Sequence, residues 1–317
     1  MDGLESTKNN APLAVAQECA TSAEEPAPEA CPTPLGWRAV LKSVDRDGEH
    51  WQTERDGRQL QGISIGTGSP LYFLNGMGGT YEMFALSAWL LKEDYRCVLW
   101  DYPDRSQGVK STSAADLSVD LMAIADFLGD EQFALHATSF GGLVGLHAML
   151  ESPERVSRAV IQGGFAHRRL TMAERTVAGA LKHAPGRFAH IPFRRVIQER
   201  NHRAWFPPFD HSRLAFFLEN AGSVPMAAVA ERAAMIGRED LRGRLGEIET
   251  EVLLIQSEGD GLVSEACHAE LAAGLTNSRT ECLKNSGHLP YLTHPHRLTK
   301  LVRPFLADEQ PPVVANR

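Results

Sequence analysis

The 317-residue chain predicts an α/β fold, a mostly parallel sheet with helices on both faces and an inserted helical cap. Three observations carry this. Short apolar runs alternate with segments whose apolar residues recur at helical spacing. The stretch Phe133 to Leu150 passes from strand to helix through a very tight turn with Ser139 at its apex. From about Ala166 to Gly237 the alternation stops, and that stretch offers only short helical pieces broken by prolines.

Composition narrows the function. A chain of this length buries a large core, as one α/β domain with an insertion or as two smaller domains. Hydrophobic content of 43% with 23% charged residues is that of a soluble globular protein. A formal net charge of -8 argues against nucleic acid as the partner. No apolar run approaches the ~18–20 residues that cross a bilayer. The acidic, polar start MDGLESTKNN does not read as a signal peptide. Five scattered cysteines (Cys19, Cys31, Cys97, Cys267, Cys282), none in C-x-x-C spacing, read as reduced thiols of a cytoplasmic protein. With no metal-ligand cluster, phosphate loop or flavin fingerprint, no metal or cofactor is expected.

In chain order, residues 1–34 hold five prolines and six acids against the single Lys8, too little apolar surface to offset ordering entropy, so a disordered tail is expected. The core is expected over 35–165 and 237–308. Trp37 to Val44 and Glu49 to Arg55 read as loosely alternating strands, and Leu60 to Ile65 as a clearer one. Leu71 to Leu74 is a continuous apolar run, as for a strand buried on both faces, and Tyr95 to Trp100 is another. Helices follow over Tyr81 to Lys92 and Ser113 to Leu128. Further strands are expected at Phe133 to Leu135, Val156 to Gln162, Glu251 to Gln256 and Arg279 to Leu283. A final helix stripes Leu298, Leu301, Val302, Phe305 and Leu306 on one face. A helical cap is assigned to 166–236 and a short tail to 309–317. The cap holds eleven Lys/Arg against five Asp/Glu, a net +6 that leaves -14 on the rest of the chain.

The turn at Ser139 carries the chemistry. Residues two before and two after the serine must be tiny where strand and helix backbones nearly touch, and they are Ala137 and Gly141. This is the pattern G-x-S-x-G with Ala for the first Gly. Three further motifs follow strand ends in order: Asn75-Gly76-Met77-Gly78-Gly79, Ser257-Glu258-Gly259-Asp260-Gly261-Leu262-Val263, and Asn285-Ser286-Gly287-His288. Together they resemble the oxyanion, nucleophile, acid and histidine loops of the α/β-hydrolase superfamily, over about Trp37 to Leu306.

The resemblance implies a soluble serine hydrolase without cofactors. Ser139 is the implied nucleophile, His288 its base and Asp260 the acid that orients the imidazole. Glu258 is the competing acid; the Leu262-Val263 pair after Asp260 fits the family spacing. The strand end at Gln162-Gly163-Gly164 offers no carboxylate. The backbone N–H groups of Met77 and Phe140 are the implied oxyanion donors. Asn75 replaces the usual His of the first loop and is expected to modify its support. The Asp101-Tyr102-Pro103 turn, with Asp104 where the family has Gly, reads as structural, and His136 as a hydrogen-bonded core histidine.

The cap residues Trp205, Phe206, Phe209, Phe216, Phe217, Met226 and Met235 are candidates for an acyl pocket or for cap core. Trp205, Phe206, Phe217 and Leu262 are the expected substrate contacts. The implied reaction is cleavage of a small carboxylic ester through an acyl-enzyme. The same groups also suit carbon–carbon, amide or thioester cleavage, acyl transfer, or a non-catalytic binding role. The cap's charge, including Arg168, Arg169, Arg194, Arg195 and Arg203, suggests a small-molecule substrate with an anionic group remote from the scissile bond.

Overall fold

Apolar runs flanked by turn residues become the strands of one sheet. The computed structural model describes residues 36–104, 112–208 and 210–307; Phe209 and the tails assigned to 1–34 and 309–317 lie outside them. The strands are β1 Glu49–Arg55, β2 Arg58–Ile65, β3 Ser69–Leu74, β4 Tyr95–Trp100, β5 Phe133–Thr138, β6 Val156–Gln162, β7 Glu251–Ser257 and β8 Ser278–Leu283. Their order is β1-β2-β4-β3-β5-β6-β7-β8. The first two pairings are antiparallel and the rest parallel.

Strand β3 shows why the central strands read as continuous apolar runs. Tyr72 and Leu74 enter the core on one face of the sheet, and Leu71 and Phe73 the core on the other. Helices α3 Ala114–Leu128 and α4 Phe140–Glu151 supply the first core. The second is supplied by α1 Trp37–Asp47, α2 Ala85–Leu91 and, near the end of the described chain, Pro295–Leu306.

Residues Trp37 to Val44, expected as a strand, are helix α1. Val40 and Val44 are buried four residues apart, with Trp37 and Leu41 packed beside them, so the pattern has a helical period. Eight residues were too few to separate it from loose alternation. Cys97 and Cys267 are free thiols, whereas Cys282 is disulfide-bonded. That corrects the expectation of reduced cysteines throughout.

Between β6 and β7 the chain forms α5 Met172–Leu181, α6 Arg194–His202, α7 His211–Ser223 and α8 Met226–Arg238. Capping boxes start α3 at Ser113 and α5 at Thr171, each side chain accepting from the backbone N–H three residues on. Beyond β7 come α9 Glu265–Gly274, α10 Pro290–Thr293 and α11 Pro295–Leu306. No helix among the described residues is long and apolar enough to cross a membrane.

Candidate active site

The carboxyl ends of β3, β5, β7 and β8 bring the four sequence motifs to one wall. Ser139, between β5 and α4, has φ 52° and ψ -119°, a conformation that costs a non-glycine residue ~1–3 kcal/mol. Its N–H donates to the Gln162 carbonyl (3.0 Å), and its own carbonyl accepts from the Gly142 N–H (2.9 Å). The sharpness of the turn dictates its small residues: a Cβ on Gly141 would lie 2.2 Å from the Leu74 carbonyl oxygen. Helix α4 starts at once with Phe140, whose N–H belongs to the unsatisfied first turn of a helix.

His288 follows β8 and Asp260 follows β7. His288 Nδ1 lies 2.7 Å from Asp260 Oδ2, and both side chains are 7% exposed. The other carboxylate oxygen accepts from the N–H groups of Leu262 (2.8 Å) and Val263 (3.0 Å). Burial pushes the Asp260 carboxyl up, but the His288 ring and these N–H groups outweigh it and leave it below the usual carboxylate value. Glu258 does another job: its carboxylate accepts the Asn285 N–H (2.8 Å), and its carbonyl accepts the Gly287 N–H (3.0 Å), shaping the histidine loop. Buried Gln162 receives the Thr138 hydroxyl (2.6 Å) and donates to the Ser257 hydroxyl (3.1 Å) and the His288 carbonyl (3.4 Å), joining three strand ends.

The loop after β3 is braced from two directions. Asn75 donates to the Trp100 carbonyl (3.0 Å), and its own carbonyl accepts the Tyr102 hydroxyl (3.1 Å). The Asp101-Tyr102 turn is structural as expected, with Asp101 accepting the Tyr81 N–H (2.7 Å). From α8, Arg232 donates to the carbonyls of Met77 (2.9 Å) and Tyr102 (3.3 Å), its guanidinium 5.2 Å from the Tyr102 ring centroid. Burial lowers its pKa against the pull of Tyr102 and Asp101. Nothing in the sequence singled out Arg232; on an apolar-striped helix it reads as solvated surface. From α7, Asn220 bonds both Thr80 and Glu82.

A cavity of about 490 Å³ opens over this wall, lined by Gly76, Met77, Ser139 and His288 and, from elsewhere, by Phe217 and Leu262. Trp205 and Phe206 do not line it. Phe206 stacks behind Phe217, centroids 6.2 Å apart. Trp205 lies flush against Gly259 and Gly287, where an added Cβ would meet the indole at 2.1 and 2.3 Å. The arginines are largely engaged nearby: Arg168 pairs with Glu174 (2.7 Å), Arg195 with Glu199 (3.0 Å), and Arg194 is buried against Leu218 and Gln198. His136 is buried between Phe73 and Phe84, but neither ring nitrogen finds a partner among the described residues, so its expected hydrogen bond is not formed. No metal-holding cluster of His, Cys, Asp or Glu occurs among the described residues.

A mostly parallel eight-stranded sheet with a positive-φ serine at the end of β5 and an Asp–His pair joining the ends of β7 and β8 defines the class of α/β-hydrolases. Residues 71–301 match the alpha/beta hydrolase family, and the chain belongs to it. It is 26% identical to strigolactone esterase D14 of Arabidopsis thaliana, covering 75% of this chain and 93% of that protein. It is 24% identical to the pimeloyl-[acyl-carrier protein] methyl ester esterase of Serratia marcescens, with 81% and 98% covered. The fold is similar to that of the enol-lactonase from Burkholderia xenovorans LB400, with TM-score 0.70, 18% identity, and 81% and 100% of the two chains covered.

Proposed function

We propose that this hydrolase cleaves a small carboxylic ester through an acyl-enzyme, with Ser139 as nucleophile, His288 as base and Asp260 as orienting acid. The observation that carries the reading is the 2.7 Å His288–Asp260 contact on the same cavity wall as Ser139. With its proton on Nδ1 facing the carboxylate, the imidazole leaves Nε2 free to take the serine proton and later return it to the leaving alcohol. The negative charge on the attacked oxygen falls to the N–H groups of Phe140 and Met77. The segment 166–236 acts as the cap, and Phe217 from it and Leu262 from the loop after β7 contact the acyl chain. The ester reading is supported by relatives that include an esterase and a methyl ester esterase; an anionic group on the substrate would be drawn by the net positive charge of 166–236.

A fluorophosphonate probe tests the reading directly. The wild-type chain is expected to label at Ser139 and to hydrolyse p-nitrophenyl esters of graded chain length. An unlabelled, inactive but folded protein overturns it in favour of a binding role.

A further inference from the structure

His202, the last residue of α6, is 5% exposed and lines the cavity together with Ser139 and His288. Its ring meets Phe217 edge-on, centroids 4.9 Å apart, which fixes the imidazole plane. No hydrogen bond reaches the imidazole from the described residues. The ionic neighbours on the cavity wall are already satisfied, since Arg168 and Glu174 hold each other at 2.7 Å. A polar ring nine-tenths buried, oriented by an aromatic neighbour and left without a partner, is a recognition element awaiting one.

Resting on the serine-hydrolase reading above, we propose that His202 is a specificity residue that hydrogen-bonds an uncharged oxygen of the substrate, a ketone, hydroxyl or lactone oxygen, separate from the carbonyl under attack. The ring is neutral: burial and the neighbouring His288 lower its pKa to about 4, against the pull of Asp260. A neutral imidazole offers one N–H donor and one acceptor nitrogen, which suits carbonyls and hydroxyls equally. A carboxylate would call for a cationic ring, and His288 turns cationic during turnover in the same cavity. Two imidazolium ions there repel each other in a low-dielectric wall. The preferred substrate is therefore an oxo- or hydroxy-substituted ester, or a lactone bearing a second oxygen, over the plain alkyl ester of equal length.

The test compares p-nitrophenyl pentanoate with a panel of its oxo derivatives, the ketone placed at successive carbons. In the wild type at least one oxo ester is expected to exceed the plain ester in kcat/KM by about tenfold, the effect of one neutral hydrogen bond. His202→Phe keeps the ring contact with Phe217 and should bring that ratio close to one; His202→Gln, with donor and acceptor retained, should restore part of it. A ratio equal in wild type and His202→Phe overturns the proposal, as does a panel with no preferred member. Fluorophosphonate labelling of Ser139 in the same preparations keeps the two readings apart. Labelled protein with a flat ratio removes only the role of His202, whereas unlabelled wild type removes the hydrolase reading.

Discussion

Ser139 stores backbone strain that its place in the tight turn between β5 and α4 explains. Ser139→Ala should keep the fold and lower kcat by at least ~10³-fold. His288→Ala should lose nearly as much, and the double variant scarcely more, because groups that share one step do not lose rate independently. Additive losses in steady-state kinetics would break the assignment. The histidines set a second expectation. Burial lowers the pKa of His136 to about 3, and that of His202 lies at about 4, from an ordinary 6.5. Below pH 6.5 the unfolded chain therefore takes up protons that the folded chain refuses. Stability falls as pH drops, down to about 4 for His202 and about 3 for His136, by at most ~1.4 kcal/mol per pH unit for each. His136→Phe, set between Phe73 and Phe84, should give a shallower decline in urea-unfolding free energy between pH 7 and pH 5; an unchanged slope rules out the histidine as its source.

Helix α8 controls a loop it does not belong to. Arg232 holds the carbonyls of Met77 and Tyr102 from a buried position, so the stiffness of the loop after β3 depends on the segment inserted after β6. Arg232→Met removes both bonds while filling the same space. It should lower kcat for a p-nitrophenyl ester by about tenfold with KM within a factor of about three, since the loop that carries the proposed oxyanion donor at Met77 is loosened without being lost. The melting temperature should hold or rise, because a buried charge gives way to apolar packing; a fall in both kcat and melting temperature would mark Arg232 as a folding residue only. This is also where sequence reading stopped short. The strands were legible because Leu71 to Leu74 and Tyr95 to Trp100 are apolar on both faces, and the motif loops because their residue types are dictated by turns such as the one at Gly141. Helix α1 was misread because its short pattern fits two periods. Arg232 and His202 gave no signal because a charge or an imidazole on a surface helix acquires meaning only from what the helix faces. The aromatics of 205–217 announced packing, but which of them meets the cavity was decided by tertiary placement.

At the scale of the whole chain the charge is divided, with +6 on 166–236 and -14 elsewhere. Local pairs such as Arg168–Glu174 and Arg195–Glu199 use acids already counted in that balance, so a positive surplus remains on the segment over the cavity. Such a field speeds the arrival of anions at the mouth, while the apolar interior excludes them. An ester with a remote carboxylate should have a higher kcat/KM than its neutral match at low ionic strength, and the gap should close as salt shortens the screening distance to ~10 Å at 0.1 M and less beyond. A pair of esters whose ratio does not respond to salt would leave the charge division without a kinetic role.

The indole of Trp205 fills space that a side chain on Gly259 or Gly287 would need. One ring is thus the shared bolt of two turns, the one that carries Asp260 and the one that carries His288, and the bolt is mounted on the segment between β6 and β7. Taking the indole away, as in Trp205→Ala, would open space beside the Asp260 turn and the His288 turn at once, so the two partners of the 2.7 Å contact share one support.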